Sequence, residues 1–331
     1  MKNTSMKSYI RNFAALLAVF LILYSLISAN VLNRYYYTIL VLVCISIVMS
    51  TSLNMATGFL GQLVLGHAGF MAIGAYSSAL TGIMLKTSSL PNVIIFIIAA
   101  LVGGISAALA GVIVGAPALR LRGDYLGIMT LGFGEVIKVI ITNLGFTGGA
   151  QGLSGIPRIL SFPTAFWTTV IVVTIIVLIM KSRHGRAILS IREDEIAAEA
   201  VGIPITKYKI LGFAVAAFFG GVGGALYAFQ MAYLAPAAFG FIKSIDIFVI
   251  VVLGGMGSLT GAILASIFLT FLPEVLREFA NYRLLIYSLL LIVMMLFRPQ
   301  GLFGTSEFSL TNILNKFKRR TKKKPIDGSD N

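Results

Sequence analysis

The sequence predicts an all-α polytopic membrane protein with about ten transmembrane helices, some of them broken. Three observations carry that prediction. Of 331 residues, 58% are hydrophobic and 11% charged, with a mean hydropathy of +0.94, where soluble domains carry about a quarter charged residues. The apolar residues gather in runs of about 20 without strict alternation, and in hydrocarbon such runs satisfy their backbone groups as helices. Thirdly, the basic residues fall on one side of the ten crossings, as cytoplasmic loops require.

In chain order, the first apolar window spans 13–32 behind Lys2, Lys7 and Arg11. Residues 29–33 make a poor cleavage site, so the window reads as a retained helix and not a signal peptide. Further windows follow at 37–56, 69–85, 93–117, 125–143, 164–180, 209–232, 245–255, 258–273 and 284–297. The eighth, 245–255, is the weakest, because 11 residues of helix rise only about 16 Å. With the amino terminus inside, ten crossings place 19 Lys and Arg residues in cytoplasmic segments and 6 outside, leaving Lys138 within a helix. Without the eighth crossing the basic tail would lie outside, so it is retained.

Residues 1–304 thus read as one transmembrane domain whose largest cytoplasmic loop is 181–208, and residues 305–331 as a basic, disordered cytoplasmic tail. The formal net charge of +14 does not point to nucleic acid. Seven of the 26 basic residues sit between Lys316 and Lys324, the pattern of a membrane flank drawn to anionic lipid. Cys44, the single cysteine, precludes an internal disulfide and reads as a packing residue.

Several glycines recur four apart, among them Gly111 with Gly115, Gly220 with Gly224, and Gly257 with Gly261. That spacing lets helix backbones approach closely in lipid. An internal echo, V-L-G-x-x-G at 64–69 and again at 252–257, suggests a parallel repeat with Gly-interrupted helices at matching depth. Such interruptions point to a transport site.

Enzymatic chemistry has little to work with. The two histidines, His67 and His184, fall in different compartments, and there is no His-x-x-x-His pair, no G-x-S-x-G turn and no Gly-Lys dipeptide. Without a phosphate-binding loop, any ATP that drives this protein is hydrolysed by another subunit. No catalytic residue, metal ligand or cofactor site is expected. Within the membrane, Glu135 and Lys138 lie three apart and can pair. A broken helix presents N–H groups and a positive dipole end to a carboxylate. Gln62, Gly66, His67 and Gly69 therefore form a candidate path lining, with Thr130 and Glu135 opposite.

The loop 181–208 is the most informative segment. Residues 187–201 are rich in helix formers, Gly202 can cap them and Pro204 prevents continuation. Ile188, Ile191, Glu195, Ala198 and Gly202 share one face, while Glu193, Asp194 and Glu199 crowd the rest with negative charge. An ordinary solvated helix is one reading. The tight run of Ala197, Ala198 and Ala200 favours the other, docking into a partner's groove.

The run GRAILSIREDEIAAEAVGI in this loop resembles the EAA-type coupling loop of ABC importer permeases, specifically the branched-chain amino acid permeases of the LivM type. So do SLNMATGFLGQLVLGHAGFMAIGAY at 52–76, RLRGDYLGIMTLGFGEVIKVIITN at 120–143, VVLGGMGSLTGAILA at 251–265 and LFRPQGLFG at 296–304. One departure is TGGAQGL at 147–153, where Ala150 and Gln151 stand in place of the usual Pro followed by an amide or acid.

The resemblance implies a type II importer arrangement in a bacterial-type cytoplasmic membrane, both termini cytoplasmic. The implied partners are a second homologous permease, two cytosolic ATPase subunits that bind the ATP, and an extracytoplasmic amino-acid-binding protein. It implies that Glu193, Asp194, Glu195, Ala198, Glu199 and Gly202 couple the chain to the ATPase. The competing function is an ion-coupled secondary transporter or channel for small polar solutes, which would need no docking helix.

Overall fold

The computed structural model describes residues 6–29, 32–118, 121 and 123–276, with isolated positions 282, 285, 288, 289, 292 and 296. Within them every long element is a helix. Helix α1, Met6–Ser28, belongs to a separate unit from the body at Arg34–Thr305. The body contains α2 Arg34–Asn54, which continues into a π-helical turn at Met55–Phe59, then α3 His67–Leu85, α4 Asn92–Ala118 and α5 Asp124–Asn143. After two short 3-10 turns come α6 Phe162–Lys181, α7 Arg183–Glu193, α8 Glu195–Ala200 and α9 Ile205–Met231. A turn at Pro236–Phe239 leads into α10 Phe241–Gly254, and α11 Leu259–Val275 follows.

Seven of these segments are long and apolar enough to cross a membrane, and Ala14–Ser28 and Leu259–Val275 are shorter apolar helices. The weak eighth window is one of the seven, because the turn at 236–239 extends it to Pro236–Gly254, 19 residues. The tenth window, 284–297, is described only at isolated positions, and the tail 305–331 lies outside the described residues. The chain is thus a multi-pass membrane protein.

The helices sort by burial. The α2 segment is 78% buried across its apolar window and α9 67%, whereas α5 and α6 are each 28% buried. Glycine makes the centre possible. A methyl group on Gly74 would strike the Gly221 backbone, one on Gly224 would strike Met71 O, and one on Gly111 would meet Ala217 Cβ at 2.6 Å. α3, α4 and α9 therefore pack backbone against backbone. Polar side chains join α2 to α11: Ser50 and Ser266 hydroxyls lie 2.7 Å apart, and Thr270 donates to Ser46 at 3.1 Å. Cys44 is buried and free, as its apolar setting suggests.

The two copies of the echoed motif differ in local structure. In the first copy Val64 to Gly66 are non-helical and His67 opens α3; in the second, Val252 to Gly254 close α10 and the break comes after them. The reason is local. Gly255 takes φ +106 and ends its helix, while His67 and Ala68 at the matching positions begin one. The two breaks nevertheless meet in space.

Candidate transport and coupling sites

The first break begins where α2 loosens into the π-helical turn, a geometry found often at functional sites. Gly61 takes φ +71, a left-handed conformation that favours glycine. Its polar groups are then collected by distant helices. Leu65 N donates to Thr130 Oγ1 at 3.1 Å, Ala68 N donates to Ser244 Oγ at 3.1 Å, and both hydroxyls are buried. The N–H groups expected to face a substrate carboxylate thus have partners at Leu65 and Ala68. Gly66 and Gly69 are steric necessities, since a methyl group would strike Thr130 O at the first and approach Gly134 Cα to 3.0 Å at the second.

The other candidate path residues scatter around this seam. His67 is 1% exposed and turns away from α5, with Nε2 2.8 Å from Ser52 Oγ on α2. Glu135 faces α10: one oxygen accepts from Lys138 Nζ and the other from Phe241 N, each at 2.7 Å. A carboxylate at the start of a helix complements the dipole there, so Glu135 ties α5 to α10. Gln62 is half-buried, its backbone N–H donating to Ala56 O at 3.1 Å. Gly66, Gly69 and Thr130 are brought together; His67 and Glu135 diverge from them.

The second break, 255–258, is hydrogen-bonded by a side chain of α2. Asn54, fully buried at the end of α2, donates to Ser258 O at 2.9 Å and accepts from Gly257 N at 2.8 Å. Ser258 then caps α11 by accepting from Gly261 N at 3.1 Å. The same Asn54 lies against Gly58, so the π-helical turn and the second break are in contact. Sequence reading missed Asn54 and Ser244. It also missed Thr57, whose buried hydroxyl has no hydrogen-bond partner among the described residues.

The loop 181–208 differs from the single helix expected at 187–201. It is a hairpin of α7 and α8, broken at Asp194, where the backbone is extended at φ −154 and ψ 112. Asp194 explains the break, because its Oδ1 accepts from Ile196 N at 2.9 Å and Ala197 N at 3.0 Å and so starts a new helix. Gly202, at φ +83, ends α8 as expected. Its N–H donates to Glu199 O and that of Ile203 to Ala198 O, the paired bonds of a Schellman cap.

Two coupling candidates face inward. Ala198 is 3% exposed, and Glu195 accepts from the buried Lys209 Nζ at 2.8 Å, which pins α8 to α9. The surface that remains outward carries Glu193, Asp194, Glu199 and Gly202 with Ala197 and Ala200, and two strongly exposed aliphatics, Ile196 at 78% and Val201 at 76%.

At the opposite ends of the helices the segments 144–161 and 232–240 join through an antiparallel bridge between Leu153 and Leu234. Tyr233 Oη donates to Gln151 O at 2.6 Å, which fixes the departing TGGAQGL loop. Beside it a cavity of 590 Å³ is lined by Lys86, Asn92 and Arg158 with apolar residues around them.

A body of packed glycine helices with two touching breaks and an outlying hairpin fits a translocating subunit. Residues 35–298 match the family described as branched-chain amino acid transport system / permease component. The chain belongs to that permease family. It is 36% identical over 300 residues to the high-affinity branched-chain amino acid transport system permease protein LivM of Escherichia coli, covering 79% of this chain and 68% of that one. The probable branched-chain amino acid transport permease protein LivM of Methanocaldococcus jannaschii is 26% identical over 308 residues, 77% of this chain and 89% of its own. A shorter likeness, 29% over 133 residues, reaches the permease protein LivH of Escherichia coli, covering 40% and 43% of the two chains. No solved structure matches. In this permease, the matched stretch contains both breaks, the α7–α8 hairpin and the Glu135–Lys138 pair.

Proposed function

We propose that this permease is the membrane subunit of an ATP-binding-cassette importer that carries branched-chain or related small amino acids inward. The observation that carries the reading is the family match, which runs unbroken through the helix breaks and the hairpin. The partners are a second homologous permease, two ATPase subunits and an extracytoplasmic amino-acid-binding protein. ATP is bound by the ATPases, and the full body has ten crossings in a type II arrangement. Both termini, the hairpin and the two breaks face the cytoplasm; segments 144–161 and 232–240 face outward.

The ATPase docks on the outward face of α8, with Ile196 and Val201 entering its groove and Glu193, Asp194, Glu199 and Gly202 at the rim. Ala198 and Glu195 contribute by holding α8 on α9. The substrate passes along the seam of α3 and α5: Gly66, Gly69 and Thr130 shape it, Gln62 stands at its inner end, and His67 and Glu135 anchor the neighbouring helices. The face of α5 beyond the seam is open, with free space around Gly132, and suits the second permease.

Reconstitution tests this directly. Liposomes containing the whole set of subunits should take up a labelled branched-chain amino acid only with ATP present. Uptake by this chain alone, or ATP hydrolysis by the chain purified free of other subunits, would sink the proposal. Single-cysteine labelling after Cys44→Ala should mark 181–208 from the inner side only, and marking from outside would reverse the topology.

A further inference from the structure

The hairpin and the two breaks converge on one residue that the roles above leave unused. Arg192 lies in the last turn of α7, two residues before the kink at Asp194. Its stem covers the first break: a methyl group on Gly61 would meet Arg192 Cγ at 3.1 Å and Cβ at 3.6 Å. Its head reaches the second: a methyl group on Gly257 would meet Arg192 Nη1 at 2.6 Å and Cζ at 3.5 Å. Both glycines hold left-handed backbone, Gly61 at φ +71 and Gly257 at φ +87. The bare side of each turn is the side on which the arginine lies.

Around this crossing the parts are tied together. Asn54 bonds Gly257 N and Ser258 O from the end of α2, and Gly58 O is 3.3 Å from the same point above Gly257 that Arg192 fills. Ile188 of α7, fully buried, approaches Gly212 of α9 beside Leu60, so α7 is seated at the end of the π-helical turn. The two ion pairs among the described residues are Glu135–Lys138 and Glu195–Lys209, and neither holds Arg192. Among the described residues no carboxylate anchors the guanidinium, and packing keeps it at the crossing. The extended Asp194 joins α7 to α8 two residues beyond Arg192.

We propose that Arg192 is a positioning residue that links the hairpin to both helix breaks, so that movement of α8 withdraws it and lets the breaks at 55–66 and 255–258 separate. The first consequence is coupling: the ATPase cycle reaches the membrane body through this side chain. The second is that the two breaks loosen together. This rests on the reading of the hairpin as the ATPase-facing loop.

The test has two arms. In the chain alone, held in nanodiscs, hydrogen exchange is followed at 55–66 and 255–260 in the native protein, Arg192→Ala and Arg192→Lys. Arg192→Ala should raise exchange about tenfold at both breaks, a typical inter-site coupling factor, with α4 and α9 unchanged, and Arg192→Lys should restore most of the protection. Loosening of one break alone, or of neither, overturns the link. In the reconstituted importer, Arg192→Ala should retain the ATPase in normal amount while amino acid carried per ATP hydrolysed falls about tenfold. An unchanged ratio overturns the coupling role. Loss of ATPase binding by the native chain would instead strike the docking reading and leave the exchange arm standing. If Arg192→Ala is not recovered, Arg192→Gln, which keeps the stem over Gly61 and removes the charge, takes its place under the same criteria.

Discussion

The two helix breaks share a sequence motif and differ in how they are held. At the first, partners come from several helices: Thr130 of α5 and Ser244 of α10 accept its N–H groups, and Gly66 is pressed on the α5 backbone. At the second, the one side chain Asn54 takes both a donor and an acceptor among the described residues, and Arg192 packs over Gly257. A break held by many contacts resists loss of any one of them. A break with few such partners can be released by moving few groups, which suits a segment meant to open.

Substitutions at the breaks and at the hairpin break or sharpen this contrast. Gly66→Ala should have the largest effect, about 3 kcal/mol of lost stability, because the added methyl strikes the Thr130 carbonyl, part of the α5 backbone and not the end of a flexible side chain. Gly132→Ala on the same helix pair has open space around it and should change stability by less than about 0.5 kcal/mol. Denaturation in detergent compares the two, and equal losses would mean that the seam is looser than described.

Asn54→Ala leaves Gly257 N and Ser258 O without their partner and should cost about 2 kcal/mol. The loss should appear as faster hydrogen exchange at 255–260 with 61–66 little affected. Thr130→Val removes one acceptor from the first break and should cost about 1 kcal/mol. If Thr130→Val proved the more damaging of the two, the contrast between many partners and few would be wrong.

Ile196→Asp should have the least effect on the fold, within about 0.5 kcal/mol, since the side chain is 78% exposed. Its effect belongs to assembly: co-purification of the ATPase should weaken by about 1–2 kcal/mol, as for an apolar anchor. Ala198→Trp should instead fail through the hairpin itself, because Ala198 is 3% exposed. Weakened ATPase binding by Ile196→Asp with the hairpin still folded would fit the outward face described; normal binding by Ile196→Asp would return docking to the alanine side.

Much of the body was legible in the sequence for a plain reason. Lipid demands about 20 apolar residues per crossing, and glycines four apart announce close helix contacts. Gly111 and Gly224 do meet other helices. Gly257 does not fit that pattern, because its spacing from Gly261 spans a break and a helix start, which periodicity cannot distinguish from one helix. The hairpin misled in a similar way. Glu193, Asp194 and Glu195 look like a charged helical turn, yet Asp194 is also a strong cap, and its carboxylate takes the N–H groups of a second helix.

By itself, then, the sequence determined an α-helical membrane body, its apolar segments, the places where glycine interrupts them and the cap at Gly202. These depend on neighbours a few residues away, where composition and spacing carry the physics. Tertiary structure alone decided what holds the interruptions. Asn54 meets Gly257 and Ser258 across 203 and 204 residues of chain, and Thr130 meets Leu65 across 65. An asparagine or threonine in an apolar helix looks the same whether it bonds its own turn or a distant backbone. Only the packing of α2, α5 and α10 around the breaks brings those groups within hydrogen-bond reach.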